Sequence, residues 1–479
     1  MTHLTLHDKQ RDIVSSTARF KVIRAGRKGG KTSGEVETLC YKATAKAATL
    51  GIKKTVFQTG RKVLYIAPTQ RQARQIIWEA LKTRLAKVGK PNEQELSMTL
   101  PNEDGEMSKI MVGGWENREN YRGLTDVIHI TFDELDTLKD FFIGWLEIFR
   151  PLFLDTGGTA NFIGTPKKQN PNLKRLRKEF ESKGDNFATF HFTSLDNPHL
   201  PIEELQALKA EYQHDLSTYK QEILAEDVED EGALFKYTAL LDMFTNTVVK
   251  GVDKYLIVDI ADDGSDKTVF NFFHGLESYR IVQYQHLTTD GIISQIREDA
   301  AKERIPYSNI AVDAIGVGAG VASSPLLAGI VGYKSSYSAI RTDHDIVRLP
   351  NVHYKKDAPL TSEYKNLRSQ CVFLLASNVN DHKVACRIED VRLKSAIIEE
   401  LSHYQDASTP DGKRMATQKE DIKELLGRSP DVSDTFIMRM YFEVRAKLVP
   451  TTEQDNQRGT AVRQHMNENE SRKHLNSSK

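Results

Sequence analysis

The residues best suited to chemistry near the N-terminus form a glycine-rich loop, RAGRKGGKTSGEVE, at residues 24–37. In phosphate-binding loops, backbone amides contact phosphate oxygens, a lysine reaches the terminal phosphates, and a hydroxyl binds Mg²⁺. Gly30, Lys31 and Thr32 meet these requirements. The early glycine of the full motif is missing, because Ala25 stands in its place. Taken alone, the loop is therefore as compatible with a basic turn before a helix as with a nucleotide site.

A second motif lies about a hundred residues downstream, where DVIHITFDEL places an apolar run directly before Asp133 and Glu134. At the end of a strand in a nucleotide-binding sheet, one acid can hold Mg²⁺ and the next can activate the attacking water. The alternative is an acidic helix start, where carboxylates favour the positive end of the helix dipole. The two motifs, in this order and each after a strand candidate, favour ATP hydrolysis over either alternative.

Four further residues of this region suit a nucleotide. Gly26 and Gly29 allow the backbone of the loop to approach phosphates closely. Gln10 lies on an amphipathic pattern before the first strand, and its amide could hydrogen-bond the adenine edge or simply face solvent. Arg27 could stabilise charge on the γ-phosphate during transfer, or be an ordinary surface arginine.

A second group of acids follows apolar runs in the C-terminal half of the chain. Asp259 follows YLIV, and Asp313 follows NIAV. Further on, SPDVSDTF places Asp431 and Asp434 three residues apart, and so on one face of a predicted helix. Buried strands rarely end in acids without a partner, which indicates that these four carboxylates converge on one cleft.

Such a cluster repels itself unless cations bind it. Two-metal phosphodiester cleavage uses this arrangement, with two ions about 4 Å apart. All-oxygen ligands favour Mg²⁺ or Mn²⁺. The alternative for Asp431 is helix capping. Lys413, Arg414 and Lys419 lie shortly before this helix and could contact DNA phosphates, although charge runs are usually solvated.

The surrounding pattern predicts an α/β protein of two domains. Short apolar runs alternate with helical patterns over residues 1–200, which predicts a parallel-rich sheet flanked by helices. Together with the two nucleotide motifs, this segment resembles a P-loop ATPase domain of the RecA/ASCE type. Residues 201–250 are predicted to form a helical subdomain and a linker near 235–250. Three strand candidates at hairpin spacing, a helix and a returning strand predict an RNase H-like nuclease domain over 251–447. The polar tail, 448–479, is expected to be disordered.

Composition limits the remaining possibilities. The chain of 479 residues has 66 basic and 66 acidic residues, so any basic surface for nucleic acid must be local. Three scattered cysteines, Cys40, Cys371 and Cys386, indicate buried thiols in a reducing compartment. No apolar run approaches the ~20 residues that span a bilayer. We therefore expect a soluble, intracellular protein without a membrane partner.

Over roughly residues 5–445, these motifs in this order resemble the large terminase subunit of tailed double-stranded DNA bacteriophages, the motor that packages and cuts DNA. GRKGGKT resembles that family's deviant phosphate loop, which implies that Arg27, Gly30, Lys31 and Thr32 bind ATP. VIHITFDE resembles its Walker B strand, which implies that Asp133 binds metal and Glu134 is the base.

Further segments extend the resemblance. NFIGTPKK resembles the coupling motif, which implies that Thr165 senses the state of the nucleotide; the alternative is an ordinary strand exit. LIVDIADDGSDKT, AVDAIGVGAGV and SPDVSDTF resemble the nuclease motifs, which implies that Asp259, Asp313 and Asp434 bind metal, with Asp431 as a fourth acid. No motif identifies an arginine acting in trans, for which Arg71, Arg74 and Arg122 remain undistinguished candidates.

The resemblance implies ATP with Mg²⁺ at the motor site and two Mg²⁺ or Mn²⁺ ions at the nuclease site. It also implies double-stranded DNA, the portal protein of the procapsid and the small terminase subunit as partners, a homo-oligomeric ring on the portal, and a place in the host cytoplasm. Two alternatives stay open: a helicase-nuclease of a repair or defence system, and a catalytically dead DNA-binding scaffold.

Overall fold

The chain divides into two compact units. In the computed structural model, residues 6–53, 57, 60–168, 171–181, 186–228, 232–249, 251–261, 267–340, 363–407 and 412–446 are described. The first unit comprises residues 1–231 with 390–395, and the second comprises 232–389 with 396–479. The predicted tail, 448–479, lies outside the described residues. No helix in the described ranges is both long and apolar enough to cross a membrane.

The first unit is built on an eight-stranded sheet. Its strands are β1 (Phe20–Ala25), β2 (Arg61–Ala67), β3 (Lys90–Asn92), β4 (Ser97–Pro101), β5 (Met107–Gly114), β6 (Val127–Phe132), β7 (Thr159–Gly164) and β8 (Phe187–Phe192). The order is β3-β4-β5-β2-β6-β7-β1-β8. The strands from β5 to β8 in this order run parallel, whereas β3 and β4 pair antiparallel at one edge. The predicted parallel-rich sheet is thus confirmed.

Helices follow the strands of the first unit. They are α1 (Asp8–Ser15), α2 (Lys31–Thr44), α3 (Gln70–Ala73), α4 (Glu79–Leu85), α5 (Phe141–Gly144), α6 (Asn172–Glu181), α7 (Ile202–Glu211) and α8 (Leu216–Glu222). A π-helical turn, Arg74–Trp78, joins α3 to α4, and a second one, Trp145–Phe149, follows α5. Short 3₁₀ turns complete the unit at Trp115–Tyr121, Leu135–Thr137, Arg150–Phe153, Ser194–Asp196 and Tyr212–His214.

Apolar side chains cover both faces of this sheet. Strands that are buried on both faces need apolar residues at successive positions, and these strands are nearly continuous apolar runs. On one face, Phe132 and Phe162 stack with ring centroids 5.5 Å apart, and Trp145 packs edge-on against Phe162 at 5.0 Å. A second cluster contains Val36, Trp78 and other buried residues. The strand ends that carry polar residues are therefore held by a core on each side.

The second unit contains a six-stranded sheet with the order β13-β12-β9-β10-β11-β14. Its strands are β9 (Lys254–Asp259), β10 (Thr268–His274), β11 (Glu277–Tyr284), β12 (Ile310–Asp313), β13 (Val331–Tyr333) and β14 (Ala385–Cys386). Strands β9, β10 and β11 are antiparallel, and β12 returns parallel to β9. This is the RNase H-like arrangement that the sequence predicts.

The remaining helices are α9 (Tyr237–Asp242), α10 (Thr289–Glu303), α11 (Val317–Ala322), α12 (Leu367–Asn380), α13 (Val391–Ser402), α14 (Lys419–Leu426) and α15 (Asp431–Ala446). Short 3₁₀ turns lie at Tyr307–Asn309 and Pro325–Leu327. Helix α9 occupies the range in which the sequence predicted a linker. It forms because Ala239, Leu240 and Leu241 supply buried apolar positions. The three cysteines are free and buried, as expected.

A buried carboxylate connects α2 to the neighbouring strands β6 and β7 of the first unit. Glu35 of α2 is 2% exposed. Its carboxylate accepts hydrogen bonds from Thr131 Oγ1 on β6 at 2.6 Å and from Asn161 Nδ2 on β7 at 3.0 Å. Burial raises the pKa of Glu35 to about 7, although both hydrogen bonds oppose the shift. The helix that follows the glycine-rich loop is therefore attached to the sheet by a carboxyl group whose ionisation, when buried, destabilises the folded state.

This cost predicts a pH-dependent stability. The pKa of Glu35 in the folded state, about 7, exceeds the ordinary value of 4.5, so the folded state binds the proton more tightly than the unfolded state. The contribution of Glu35 to the free energy of unfolding therefore falls as the pH rises from the ordinary pKa through the folded one. As the pH is raised from about 5 to about 8, the free energy of unfolding of Glu35→Gln should rise by about 2 kcal/mol relative to that of the unchanged chain. Urea denaturation followed by fluorescence suits the test, since all three tryptophans lie in this unit. Glu103→Gln, at an exposed position, should show no such gain. If plots of unfolding free energy against pH were parallel for Glu35→Gln and the unchanged chain, this expectation would be wrong.

Candidate functional sites

The glycine-rich loop connects β1 to α2 in a conformation that requires glycine at two positions. Gly30 has φ +99°, a left-handed conformation, and α2 begins at the next residue, Lys31. A Cβ on Gly26 would overlap the carbonyl oxygen of Ile223. Gly29 donates its backbone N–H to the carbonyl of Gly26 at 3.1 Å, which closes the turn. The loop thus places Lys31 and the half-buried Thr32 at the N-terminus of α2.

Side chains from elsewhere in the unit brace this loop. Gln10 Nε2 donates to the carbonyl of Gly30 at 2.6 Å, and Gln10 Oε1 accepts from the backbone N–H of His7 at 2.9 Å. Ser194 Oγ donates to the carbonyl of Arg27, and Asn197 Nδ2 to that of Lys28, both at 2.6 Å. The Gln10 amide is therefore engaged with the loop itself, and its contact with adenine stays a prediction. Ser194 and Asn197 were missed, because no local pattern links them to the loop.

The ammonium of Lys31 meets residues from two other strands. Lys31 Nζ donates to Thr165 Oγ1 at 2.7 Å and to the carbonyl of Ala25 at 3.3 Å. It also lies 3.9 Å from Glu134 Oε1. Thr165 follows β7 and donates its own hydroxyl to the Ala25 carbonyl at 2.9 Å. Because β7 lies between β1 and β6 in the sheet, the ends of all three strands meet at this lysine.

Asp133 and Glu134 follow β6 but differ in environment. Asp133 is 4% exposed and accepts the Tyr65 hydroxyl and the backbone N–H of Glu134. Burial, with the adjacent Glu134 charge, raises the pKa of Asp133 to about 6, although the Tyr65 bond and Lys31 oppose the shift. Glu134 has φ +50° and ψ +47°, a left-handed conformation that is uncommon for a residue with a Cβ. The turn therefore directs two successive carboxylates differently, one buried and one toward Lys31.

Lys31, Glu134 and Thr165 line a cavity of about 540 Å³. Its lining includes the basic residues Arg27, Lys28, Lys31 and Lys167 and the acids Glu134 and Glu222. The exposed guanidinium of Arg27 pairs with Glu222 of α8, and the Arg27 backbone N–H donates to the carbonyl of Glu222 at 2.8 Å. No sequence pattern indicates Glu222, which lies 195 positions from Arg27. Helix α3 and the π turn also contribute to the cavity, through Gln72, Gln75 and Ile76.

A second cavity, of about 260 Å³, lies in the second unit and brings together three of the four predicted acids. Asp259 ends β9, Asp313 ends β12, and Asp434 lies on the first turn of α15. Asp431, which begins α15, does not line the cavity; its Oδ2 accepts the backbone N–H of Lys267 at 3.4 Å. The predicted convergence therefore includes Asp259, Asp313 and Asp434, with Asp431 at the margin.

Two cations hold the carboxylate of Asp434. Lys419 Nζ, from the start of α14, lies 2.6 Å from Asp434 Oδ2, and Arg368 Nη2, from α12, lies 2.9 Å from Asp434 Oδ1. Arg368 also donates to the Tyr404 hydroxyl at 2.7 Å. Burial favours the neutral acid, yet Lys419 and Arg368 together hold the pKa of Asp434 below its ordinary value. Arg368 was missed by the sequence. Lys419 contacts acids here, and its contact with DNA phosphates stays a prediction.

The pKa of Asp259 is shifted in the opposite direction to that of Asp434. Burial raises its pKa well above the ordinary value, and repulsion from Asp434, Asp431 and Asp313 adds to the shift, while Lys419 opposes it. Lys419 Nζ is 3.9 Å from Asp259 Oδ2 and so lies between the two acids. Within the described ranges, no three acidic, histidine or cysteine side chains are grouped to hold one metal ion as they stand. Carboxylate oxygens suit hard cations, and here the Lys419 ammonium lies between two of these carboxylates.

Three of the other basic residues singled out in the sequence have acidic partners of their own. Arg74 pairs with Glu93 at 2.9 Å, and Arg122 with Glu119 at 2.5 Å. Arg414 lies 3.6 Å from Glu363 Oε1. Arg71 lies on α3 and is exposed. These contacts do not distinguish a trans-acting arginine.

No family model and no curated protein matches the chain. Several solved structures do. The large terminase of a thermophilic bacteriophage is 14% identical, with 91% of this chain and 99% of that chain covered and a TM-score of 0.39. The large terminase ATPase domain of Thermus phage P74-26 is 22% identical, covering 47% and 94%, with a TM-score of 0.37. The nuclease domain of the large terminase subunit of bacterial virus Sf6 is 20% identical, covering 43% and 98%, with a TM-score of 0.36.

The cation pair around Asp434 predicts a large, coupled effect on stability. Arg368→Leu leaves a buried carboxylate with one cation fewer, and we expect it to lower the free energy of unfolding by about 3 kcal/mol. Adding Asp434→Asn removes the uncompensated charge, so the double variant should lose less than the sum of the two single variants. Chemical denaturation followed by circular dichroism measures both. Arg297→Leu, at an exposed position on α10, should have little effect; strictly additive losses at 368 and 434 would rule out the coupling.

Proposed function

We propose that the first unit hydrolyses ATP. The observation that carries this proposal is the position of Lys31 Nζ, 2.7 Å from Thr165 Oγ1 and 3.9 Å from Glu134 Oε1, beside a cavity of about 540 Å³. A lysine at the N-terminus of a helix, facing a carboxylate that can act as a base, is the arrangement that phosphoryl transfer requires. Lys31 Nζ is bonded to the neutral Thr165 hydroxyl, and a neutral hydroxyl is readily exchanged for a phosphate oxygen.

Each residue of the site has a role in this reaction. Lys31 and the loop amides bind the terminal phosphates, and Arg27 leaves Glu222 to stabilise charge on the γ-phosphate. Thr32 and Asp133 would hold Mg²⁺, which neutralises phosphate charge when bound. The buried Asp133 is oriented for this by the Tyr65 hydroxyl. Glu134 accepts the proton of the attacking water, and Thr165 senses the phosphate through Lys31.

We propose that the second unit cuts DNA with two Mg²⁺ or Mn²⁺ ions held by Asp259, Asp313 and Asp434, with Asp431 assisting. When bound, these ions activate water and stabilise the leaving oxygen. The mutual repulsion of the acids supports the proposal, because a cluster that raises the pKa of Asp259 is relieved by added positive charge. Binding requires the Lys419 ammonium to withdraw from between Asp259 and Asp434.

Together these activities make a viral DNA-packaging motor, which is the role that the resemblance to large terminases implies. We propose that ATP hydrolysis moves double-stranded DNA into a procapsid, and that the nuclease cuts concatemeric DNA before and after packaging. The portal protein, the small terminase subunit and further copies of this chain in a ring would be its partners, in the host cytoplasm. Domain boundaries at 200, 250 and 447 accompany this proposal.

A helicase-nuclease would share the ATP site. It would separate DNA strands, whereas a packaging motor translocates the intact duplex, so a strand-separation assay distinguishes the two. A scaffold without catalysis would release no phosphate from ATP.

The ATP site is tested by Lys31→Ala. We expect ATP hydrolysis to fall at least about 100-fold, because the charge that binds the terminal phosphates is lost. Phosphate release by the purified chain measures the effect, and circular dichroism verifies the fold. Lys109→Ala removes a lysine on β5 that pairs with Glu95 and should retain full activity. Equal activity in Lys31→Ala and Lys109→Ala would leave only the scaffold alternative or a different ATP site.

The nuclease site is tested by Asp259→Ala and Asp313→Ala. Plasmid cleavage should require Mg²⁺ or Mn²⁺, and each variant should lose at least about 100-fold in rate, because metal ligands are removed. Asp381→Ala, at an exposed position after α12, serves as the matched control and should cut normally. Undiminished cutting by both site variants would remove the assignment.

A further inference from the structure

Asp136, three residues after Asp133, has no part in the chemistry above, yet it is 3% exposed. It lies in the 3₁₀ turn Leu135–Thr137. Its Oδ2 accepts the backbone N–H of Lys167 at 2.9 Å, and its Oδ1 accepts that of Leu173 at 2.7 Å. Both donors lie beyond β7. One buried carboxylate therefore joins the turn after β6 to the chain that follows β7.

Asn172 makes the reciprocal contacts. It begins α6 and is 8% exposed. Its Nδ2 donates to the carbonyl of Leu135 at 2.9 Å and to that of Leu138 at 3.1 Å. Asp136 and Asn172 thus make four hydrogen bonds between the two segments, and we refer to these two residues as the clamp.

The clamp adjoins both residues that face Lys31. Glu134 immediately precedes the clamped turn and has a left-handed conformation, which costs a residue with a Cβ about 1–2 kcal/mol and persists only when surrounding contacts hold it. Thr165 immediately precedes the segment that Asp136 binds. Gly164, just before Thr165, lets the end of β7 pack closely against the turn after β6, since a Cβ there would lie 3.1 Å from the backbone nitrogen of Leu135. The relative position of Glu134 and Thr165 therefore depends on the clamp.

We propose that Asp136 and Asn172 are positioning residues for ATP hydrolysis: the clamp holds the Glu134 turn in register with the Thr165 segment, so that the base and the residue that contacts Lys31 keep one geometry. This inference rests on the proposed ATPase function. Loosening the clamp releases the direction of the Glu134 carboxylate but leaves the loop amides and Lys31 in place. Turnover should then suffer while nucleotide binding does not.

The test compares Asp136→Asn and Asn172→Ala with the unchanged full-length chain. An asparagine at 136 offers an acceptor to one backbone N–H and points a donor at the other, and alanine at 172 removes both donors. We expect kcat for ATP hydrolysis to fall about 10- to 100-fold in each variant, while the dissociation constant of a fluorescent ATP analogue changes by less than about twofold.

Asp104→Asn is the matched control. Asp104 Oδ2 also accepts a backbone N–H in the first unit, from Ala47 at 2.7 Å, so its loss should lower stability without changing kcat. A fall in nucleotide affinity that parallels the fall in kcat, or unchanged kcat in both clamp variants, would overturn the positioning role. If Asp136→Asn does not fold, the result for Asn172→Ala decides.

The proposed ATPase function and the positioning role of the clamp can be overturned separately. Absence of ATP hydrolysis by the unchanged chain would overturn the proposed function, and the positioning role with it. Normal hydrolysis by the unchanged chain and by both clamp variants would overturn the positioning role alone.

Discussion

The arrangement of the first site depends on one feature of the sheet, the position of β7 between β1 and β6. Parallel strands present their carboxyl ends at one edge, so residues that follow adjacent strands become neighbours however far apart they are in the chain. Lys31 and Thr165 are 134 positions apart and share a hydrogen bond of 2.7 Å. The same edge carries Glu134 on the other side. The clamp, the braces on the loop and the buried Glu35 all serve to keep these three strand ends in fixed relation.

Several features of both sites could be predicted from the sequence, because they are local. A glycine-rich stretch after an apolar run, and acids that end apolar runs, occupy the predicted strand ends in the structure. The strands around them, near Val22, Leu64, Ile130 and Phe162, form for the same reason: each is a short apolar run between polar segments. The order of strands and helix in the second unit was likewise indicated by hairpin spacing.

What the sequence could not predict involves distant partners. Arg368 approaches Asp434 across 66 positions, and Asp136 binds Leu173 across 37. Neither contact follows a helical or strand period, so no pattern distinguishes these residues from a surface arginine or a helix-capping acid. Within the range 235–250, where the sequence predicts a linker, α9 forms because apolar residues such as Leu240 are buried. Roles of individual residues at both sites stay predictions for the same reason.

The two sites handle charge differently, and this difference bears on which ligand each one accepts. Lys31 bonds mainly to neutral oxygens, the Thr165 hydroxyl and the Ala25 carbonyl, in a cavity lined by four basic and two acidic side chains. Replacing these neutral oxygens by a phosphate is favourable, because the hydrogen bonds that Lys31 gives up go to uncharged groups. Lys419, by contrast, is in direct ion contact with Asp434 at 2.6 Å. In the proposed nuclease, a metal ion would have to displace this ammonium. Its binding is favourable only if it also contacts Asp259 and Asp313. The repulsion among these acids is only partly relieved by the single ammonium, which lies 3.9 Å from Asp259. Under the proposed functions, the first site can therefore accept an anion without rearranging Lys31, whereas the second must release Lys419 before it binds metal ions.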